Sequence, residues 1–126
     1  MEDSVTYAPA TRSQIGFTIA GTIETGTNLA FPFRPSGNFT ISEVYIEVKE
    51  APTGATLIVD VNKNGTTIFT DQAKRPTIAD GGTTATSGAP DVTALVKDDA
   101  ITVDVDQVGS TDAGKNITIQ VRGTTS

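Results

Sequence analysis

Apolar and polar residues alternate along most of this chain. In "QIGFTIAGTIE", Ile15, Phe17 and Ile19 fall on one face of an extended segment, and Gly21 permits a bulge or bend before Ile23. "NLAFPFR" puts Leu29, Phe31 and Phe33 on one face, with Pro32 marking a sheet edge or a break in pairing. "NFTISEVYIEVKE" runs Phe39, Ile41, then Val44, Ile46, Val48, so the parity flips at Ser42 and Glu43. A bulge there lets one long strand serve two parts of a curved sheet. "AITVDVDQV" and "NITIQVR" alternate strictly, with Ile101, Val103, Val105 and then Ile117, Ile119, Val121 inward. The i, i+3, i+4 spacing of an amphipathic helix is sustained nowhere.

"APTG" and "GSTDAGK" read as turns from their Gly, Pro, Ser and Asp content. Residues 71–91 have the weakest periodicity. A loop of that length is unusual in a compact domain, so a short strand near Thr83 to Ser87 or a functional excursion is expected. In "PDVTALVK", Asp91 stands as an N-cap, which predicts one helical turn. Together these patterns predict an all-β fold, a jelly-roll-like antiparallel β-sandwich of about eight strands. One domain spans residues 14–126 behind a polar N-terminal arm at residues 1–13, since 126 residues suit a single core.

"IVDVNKNGTTIFTD", residues 58–71, admits two readings. Asp60, Asn62, Asn64, Gly65 and Asp71 fall near the ligand positions of a calcium loop, with one carboxylate among the first three ligands and Asp where a bidentate Glu belongs. Alternatively the stretch is a β-hairpin whose turn is built from Asn62, Asn64 and Gly65. A three-residue loop with a glycine bulge sets Val59 opposite Ile68 and Ile58 opposite Phe69, whereas a two-residue Asn-Gly loop opposes Asp60 to Phe69. Apolar pairing favours the former. In that hairpin Asp71 stands about 13 Å from Asp60, at about 3.3 Å per residue, too far for one ion. The hairpin is the expectation, and no metal site follows.

Composition narrows the function. The chain has no Cys and no His, which removes thiolate chemistry and imidazole bases or ligands. Nine Lys and Arg against fifteen Asp and Glu, scattered without a basic stripe, argue against nucleic-acid binding. Neither a signal peptide nor a run of about 18 apolar residues is visible, so no membrane association is expected, and the sequons at Asn38, Asn64 and Asn116 read as coincidence in a Thr-rich chain. Asp104 and Asp106, at i and i+2 of one strand face, are the remaining catalytic pair of the glycosidase type. The simpler reading is a solvated strand face, and no catalytic residue or cofactor is assigned.

A third feature points outward. Leu57, Val59 and Val61 supply the core face of their strand, leaving Ile58 and Phe69 paired on the side where a sandwich shows polar residues to water. They are a candidate subunit interface, covered either by another subunit or by the loop of residues 71–91. "VDVNKNGTT" and "VDVDQVGST" also echo one another, as two equivalent strand-turn corners would.

"APTGATLIVDVNKNGTTIFT", "RPTIADG", "PDVTALVKDDAITVDVDQVGST" and "ITIQVR", in that order, resemble a family of small β-rich structural proteins and modules from tailed-bacteriophage virions, over roughly residues 15–122. The resemblance implies a jelly-roll-like virion component, in capsid decoration (cement) roles or in tail and fibre appendages, and assigns no catalytic residue. Within that class we expect a decoration protein, made in the host cytoplasm and carried in the virion. A homo-oligomer, with a trimer favoured, docks on the major capsid protein or other virion proteins and orders its arm, with Val5 and Tyr7 as candidate docking residues. The alternative is a tail, baseplate or fibre appendage that binds the host surface, possibly a glycan, through residues 71–91 and 109–115.

Overall fold

The computed structural model describes residues 11–125. Nine strands are present among them: β1 (Thr11–Thr22), β2 (Phe39–Glu50), β3 (Leu57–Lys63), β4 (Thr66–Thr67), β5 (Thr77–Ile78), β6 (Thr84–Thr86), β7 (Ala94–Leu95), β8 (Ile101–Gln107) and β9 (Lys115–Thr125). All their pairings are antiparallel, and they form two sheets around one buried apolar cluster. The fold is an antiparallel β-sandwich.

In the first sheet β9 lies between β1 and β2, and β2 carries both β6 and β7 on its other side. Two bulges shape it. Arg122 opposes Glu43 while the next residue, Gly123, opposes Ile41, so Ser42 is the extra residue of β2. That insertion is why Ile41 and Val44, three apart, are both buried. Gly123 is required at this point, because a Cβ there would run into the Thr40 carbonyl oxygen. The second bulge sets Ile19 to Thr22 of β1 against Lys115 to Ile117 of β9. Gly21, at φ +89°, donates its N–H to Asn116 Oδ1 at 2.7 Å.

In the second sheet β3 pairs with β8 along one side and with β4 and β5 along the other. The register places Val59 on Val105, Asp60 on Asp104 and Val61 on Val103. The two V-D-V segments are therefore cross-strand neighbours, inverted about their aspartates. Residues 26–33 run along the outer side of β8, touching it at the Gly26–Val105 and Phe33–Ile101 bridges. They make no regular strand. Pro32 has no N–H to give a ladder, and the break in pairing expected of it in "NLAFPFR" is found here.

The hairpin differs from its expected register. Asn62 pairs with Thr67 and Lys63 with Thr66, so Asn64-Gly65 is a two-residue turn with positive φ at both positions, 50° and 85°. The left-handed Asn64 is held by its neighbours: its N–H donates to the Ala100 carbonyl at 2.8 Å, and its side-chain oxygen accepts the Ala100 N–H at 2.9 Å. Asn64 Nδ2 also donates to Asp99 Oδ1 at 3.0 Å. Cross-strand pairing of Ile68 and Phe69 misjudged the loop because the β4 ladder ends at Thr67. Beyond it the Ile68 N–H still donates to the Val61 carbonyl at 2.9 Å, but the Ile68 carbonyl accepts the Asp91 and Val92 N–H groups, and the chain turns into the core.

The expected helical turn at Asp91 is absent, and β7 follows instead. Asp91 spends its carboxylate on the Asp71 N–H and on Lys74 Nζ, 2.8 and 2.7 Å. The single 3₁₀ turn of the described residues lies at Gln72–Lys74, where Asp71 caps the Ala73 N–H at 3.1 Å. β6 falls within the segment where a short strand is expected.

Candidate functional site

The surfaces differ in how far the chain has completed them. The outer face of the second sheet is closed by the chain itself. Asp60, only 6 % exposed, accepts hydrogen bonds on Oδ1 from Thr67 Oγ1 at 2.6 Å and from the Val61 N–H at 2.8 Å. Gln72 Nε2 reaches Asp60 Oδ2 at 3.5 Å and donates to the Phe69 carbonyl at 2.7 Å, pinning residues 67–72 over the sheet. Burial raises the Asp60 pKa above the usual carboxylate range, partly offset by hydrogen bonds from Thr67, Val61 and Gln72. Next to it Asn62 and Thr102 are buried, and the Thr102 hydroxyl has no partner.

This arrangement places the residues singled out from the sequence. Phe69 is fully buried in the chain's own core, so it offers no surface to a second subunit, and that part of the interface expectation is corrected. The cause is the early end of the β4 ladder. Ile58 is half-buried between Thr77 of β5 and Gln107 of β8. Asn64 and Gly65 form the turn, whereas Asn62 sits in β3 and donates Nδ2 to Asp104 Oδ2 at 2.9 Å. Val5 and Tyr7 lie outside the described residues.

The carboxylates that suggested chemistry are spent on structure. Asp104 also accepts the Asn28 N–H at 3.0 Å, which ties residues 26–33 to β8, and Asp106 pairs with Arg75 Nη1 at 2.6 Å. Asp99 accepts from the Val96 N–H and from Asn64, which holds its pKa below the ordinary value. Asp60 and Asp71, the ends of the calcium reading, serve different hydrogen bonds.

The other surface is an open end of the sandwich. One row of paired residues crosses the first sheet through Thr11, Thr125, Phe39 and Leu95, so the starts of β1 and β2 flank the end of β9. Beside this row lie residues 33–38 and 96–100, linked by the Asp98 N–H on the Pro35 carbonyl and by Arg34 Nη1 on the Asp98 carbonyl, both 2.8 Å. The large exposed apolar side chains of the described residues gather toward it: Phe31 at 91 %, Val96 at 54 % and Phe33 at 42 % exposure. Charge is uneven here too. Arg12, Arg34, Lys63, Lys97 and Arg122, five of the nine basic residues, lie toward this end with Glu43, Asp98 and Asp99, in a chain of net charge -6. Two shallow grooves flank the entry of β1. One of about 290 Å³ is lined by Ser13, Phe33, Pro35 and Phe39. The other, about 550 Å³, is lined by Arg12, Gln14, Glu43 and Arg122, whose guanidinium binds Glu43 at 3.2 Å and lies 4.2 Å from the Tyr45 ring centre. Alternation put Phe31 and Phe33 on one face with Leu29, which is partly buried against the core while they are exposed. Pro32 between them was the signal that they leave it.

No protein-family model matches the chain, and no curated protein is similar to it in sequence. Among solved structures it is similar to a chain of the cyanophage Pam1 capsid asymmetric unit, at 20 % sequence identity and a TM-score of 0.55. The alignment covers 97 % of this chain and 94 % of that one, so the likeness is of whole fold to whole fold.

Proposed function

We infer that the chain is a structural, non-enzymatic component of a bacteriophage virion, and within that class a capsid decoration protein that docks on an assembled shell as a homo-oligomer. The observation that carries this reading is the end-to-end sharing of fold with a chain of a cyanophage capsid asymmetric unit. The open end supports it. Solvent-exposed Phe31, Phe33 and Val96, toward the end of the sandwich that holds five of the nine basic residues, suit contact with an acidic protein surface such as a shell of major capsid protein. Residues 11–13 of the expected arm belong to β1, and the residues before them, with Val5 and Tyr7, would extend that contact.

Expanded capsids lacking this protein provide the test. The purified protein should co-sediment with them and saturate at a copy number near that of the major capsid protein. Phe31→Ser should weaken binding at least tenfold while leaving thermal stability unchanged. Failure to bind, or detection in virions at only a few copies per particle, would overturn the decoration reading in favour of a tail or fibre appendage.

A further inference from the structure

The edges of the two sheets are built differently. β6 and β7 finish one side of the first sheet with three- and two-residue strands. In the second sheet β4 and β5 have two residues each, and residues 26–33 meet β8 through isolated bridges and scattered hydrogen bonds and form no strand. Short or irregular edges are poor templates for another strand. β1 is the exception: twelve residues long, regularly paired with β9 from Thr11 to Ile19, and without a strand on its other side among the described residues.

Edge strands of monomers are usually blunted by Lys, Pro, inward-facing charge or a bulge. From Ser13 to Ile19, β1 carries none of these, and its bulge lies beyond, at Ala20–Gly21. Its single charge is Arg12. Although the chain has fifteen acidic residues, β1 has none, so two copies of this edge meet without like-charge acids facing each other. The outer-face residues Gln14, Gly16, Thr18 and Ala20 are exposed and uncharged. Ile19, half-buried, lines a crevice of about 220 Å³ with Thr22, Ile23, Glu24, Leu29 and Val105, at the far end of β1 from Arg12.

We propose that two copies of this chain pair edge to edge through β1, antiparallel about a two-fold axis, joining their first sheets into one continuous sheet. Every second residue of the strand points its N–H and C=O away from β9, and the partner's β1 supplies the matching groups. An isologous contact of this kind closes at two copies. It therefore replaces the trimer expected from the sequence, and it stands independently of the virion reading. Eight residues per copy make a seam of about 27 Å at about 3.4 Å per residue. A contact one strand wide falls below the roughly 1,200–2,000 Å² of tight complexes, so dissociation in the micromolar range is expected.

The experiment is sedimentation velocity on the full chain from about 1 to 500 μM, beside the double variant Gln14→Lys with Thr18→Lys, a control Thr86→Lys on β6, and a chain lacking residues 1–10. The wild type, the control and the truncated chain should dimerise alike. The double variant should dissociate at least tenfold more readily, with partial recovery at high salt and an unchanged melting temperature. Hydrogen exchange should show amides of Arg12 to Ile19 protected at high concentration and exposed at low. A monomer throughout the range, a trimer, a dimer indifferent to the double variant, or a dimer lost with residues 1–10 would each overturn the proposal.

Discussion

The outer faces of the two sheets receive opposite treatment. Over the second sheet, residues 67–72 fold back onto Asp60, and Asn62 and Thr102 beside it are buried too, so a face that alternation would leave to water becomes a second, polar interior. Over the first sheet the equivalent positions, such as Thr18, Thr40, Glu47 and Lys49, stay exposed, and β1 has no second neighbour among the described residues. The difference teaches where stability and contact are divided. The second sheet is completed from within, while the first presents its backbone outward.

The contrast is broken hardest at Phe69, whose side chain is fully buried where the covering segment enters the core. Phe69→Ala should cost about 3–5 kcal/mol in urea unfolding, the range for large core truncations. A cost below about 1 kcal/mol would mean that the cover is an accessory. At the hairpin, Gly65→Ala should destabilise by about 1–2 kcal/mol, the penalty of a left-handed backbone for an L-residue, because space is open there and φ is +85°. Thr102→Val should be neutral or stabilising by up to about 1 kcal/mol, since it replaces a buried hydroxyl without a partner by an isosteric methyl. A loss instead would mean that the hydroxyl is hydrogen-bonded.

Asp60 sharpens the comparison through pH. Its raised pKa means that the folded chain holds this proton to higher pH than the unfolded chain does. Between the ordinary carboxylate pKa and the raised one, its contribution to stability falls as pH rises. Asp91, Asp99 and Asp112, with lowered values, act in the opposite sense, losing stability as pH falls. Asp60→Asn should therefore leave a melting curve against pH with the same acid limb but without the decline across the Asp60 window. Equal slopes in both proteins would show that Asp60 is hydrated. At the small end, Thr18→Lys on the open sheet should leave the melting temperature unchanged.

Much of this was written in the alternation. The flip at Ser42–Glu43 and the glycine at position 21 located both bulges of the first sheet, because a period-two pattern cannot change parity without an extra residue. The inward sets of β8 and β9 followed for the same reason. Alternation was misleading at Phe69, since apolar pairing across a hairpin presumes that the ladder continues, and here it stops at Thr67. It was also misleading at Asp91, where a residue suited to capping a helix is instead taken by Lys74 and the Asp71 N–H. Those partners are 17 and 20 residues away, and no local pattern carries them. The exposed end was half legible: Pro32 signalled a break, but periodicity alone did not tell the exposed Phe31 and Phe33 from the partly buried Leu29 on the same face.

The central place of β9 has a consequence for how the molecule comes into being. β1 and β2 share no ladder with one another, and the strand between them begins more than ninety residues after β1 does. At about 5–20 residues per second of translation, β1 waits roughly 5–20 s with both edges open. Closure then requires contacts of very long sequence separation, which fold slowly. Through that interval the nascent chain depends on whatever keeps two unpaired strands apart, so its yield should be limited by synthesis and chaperoning more than by the stability of the finished sandwich.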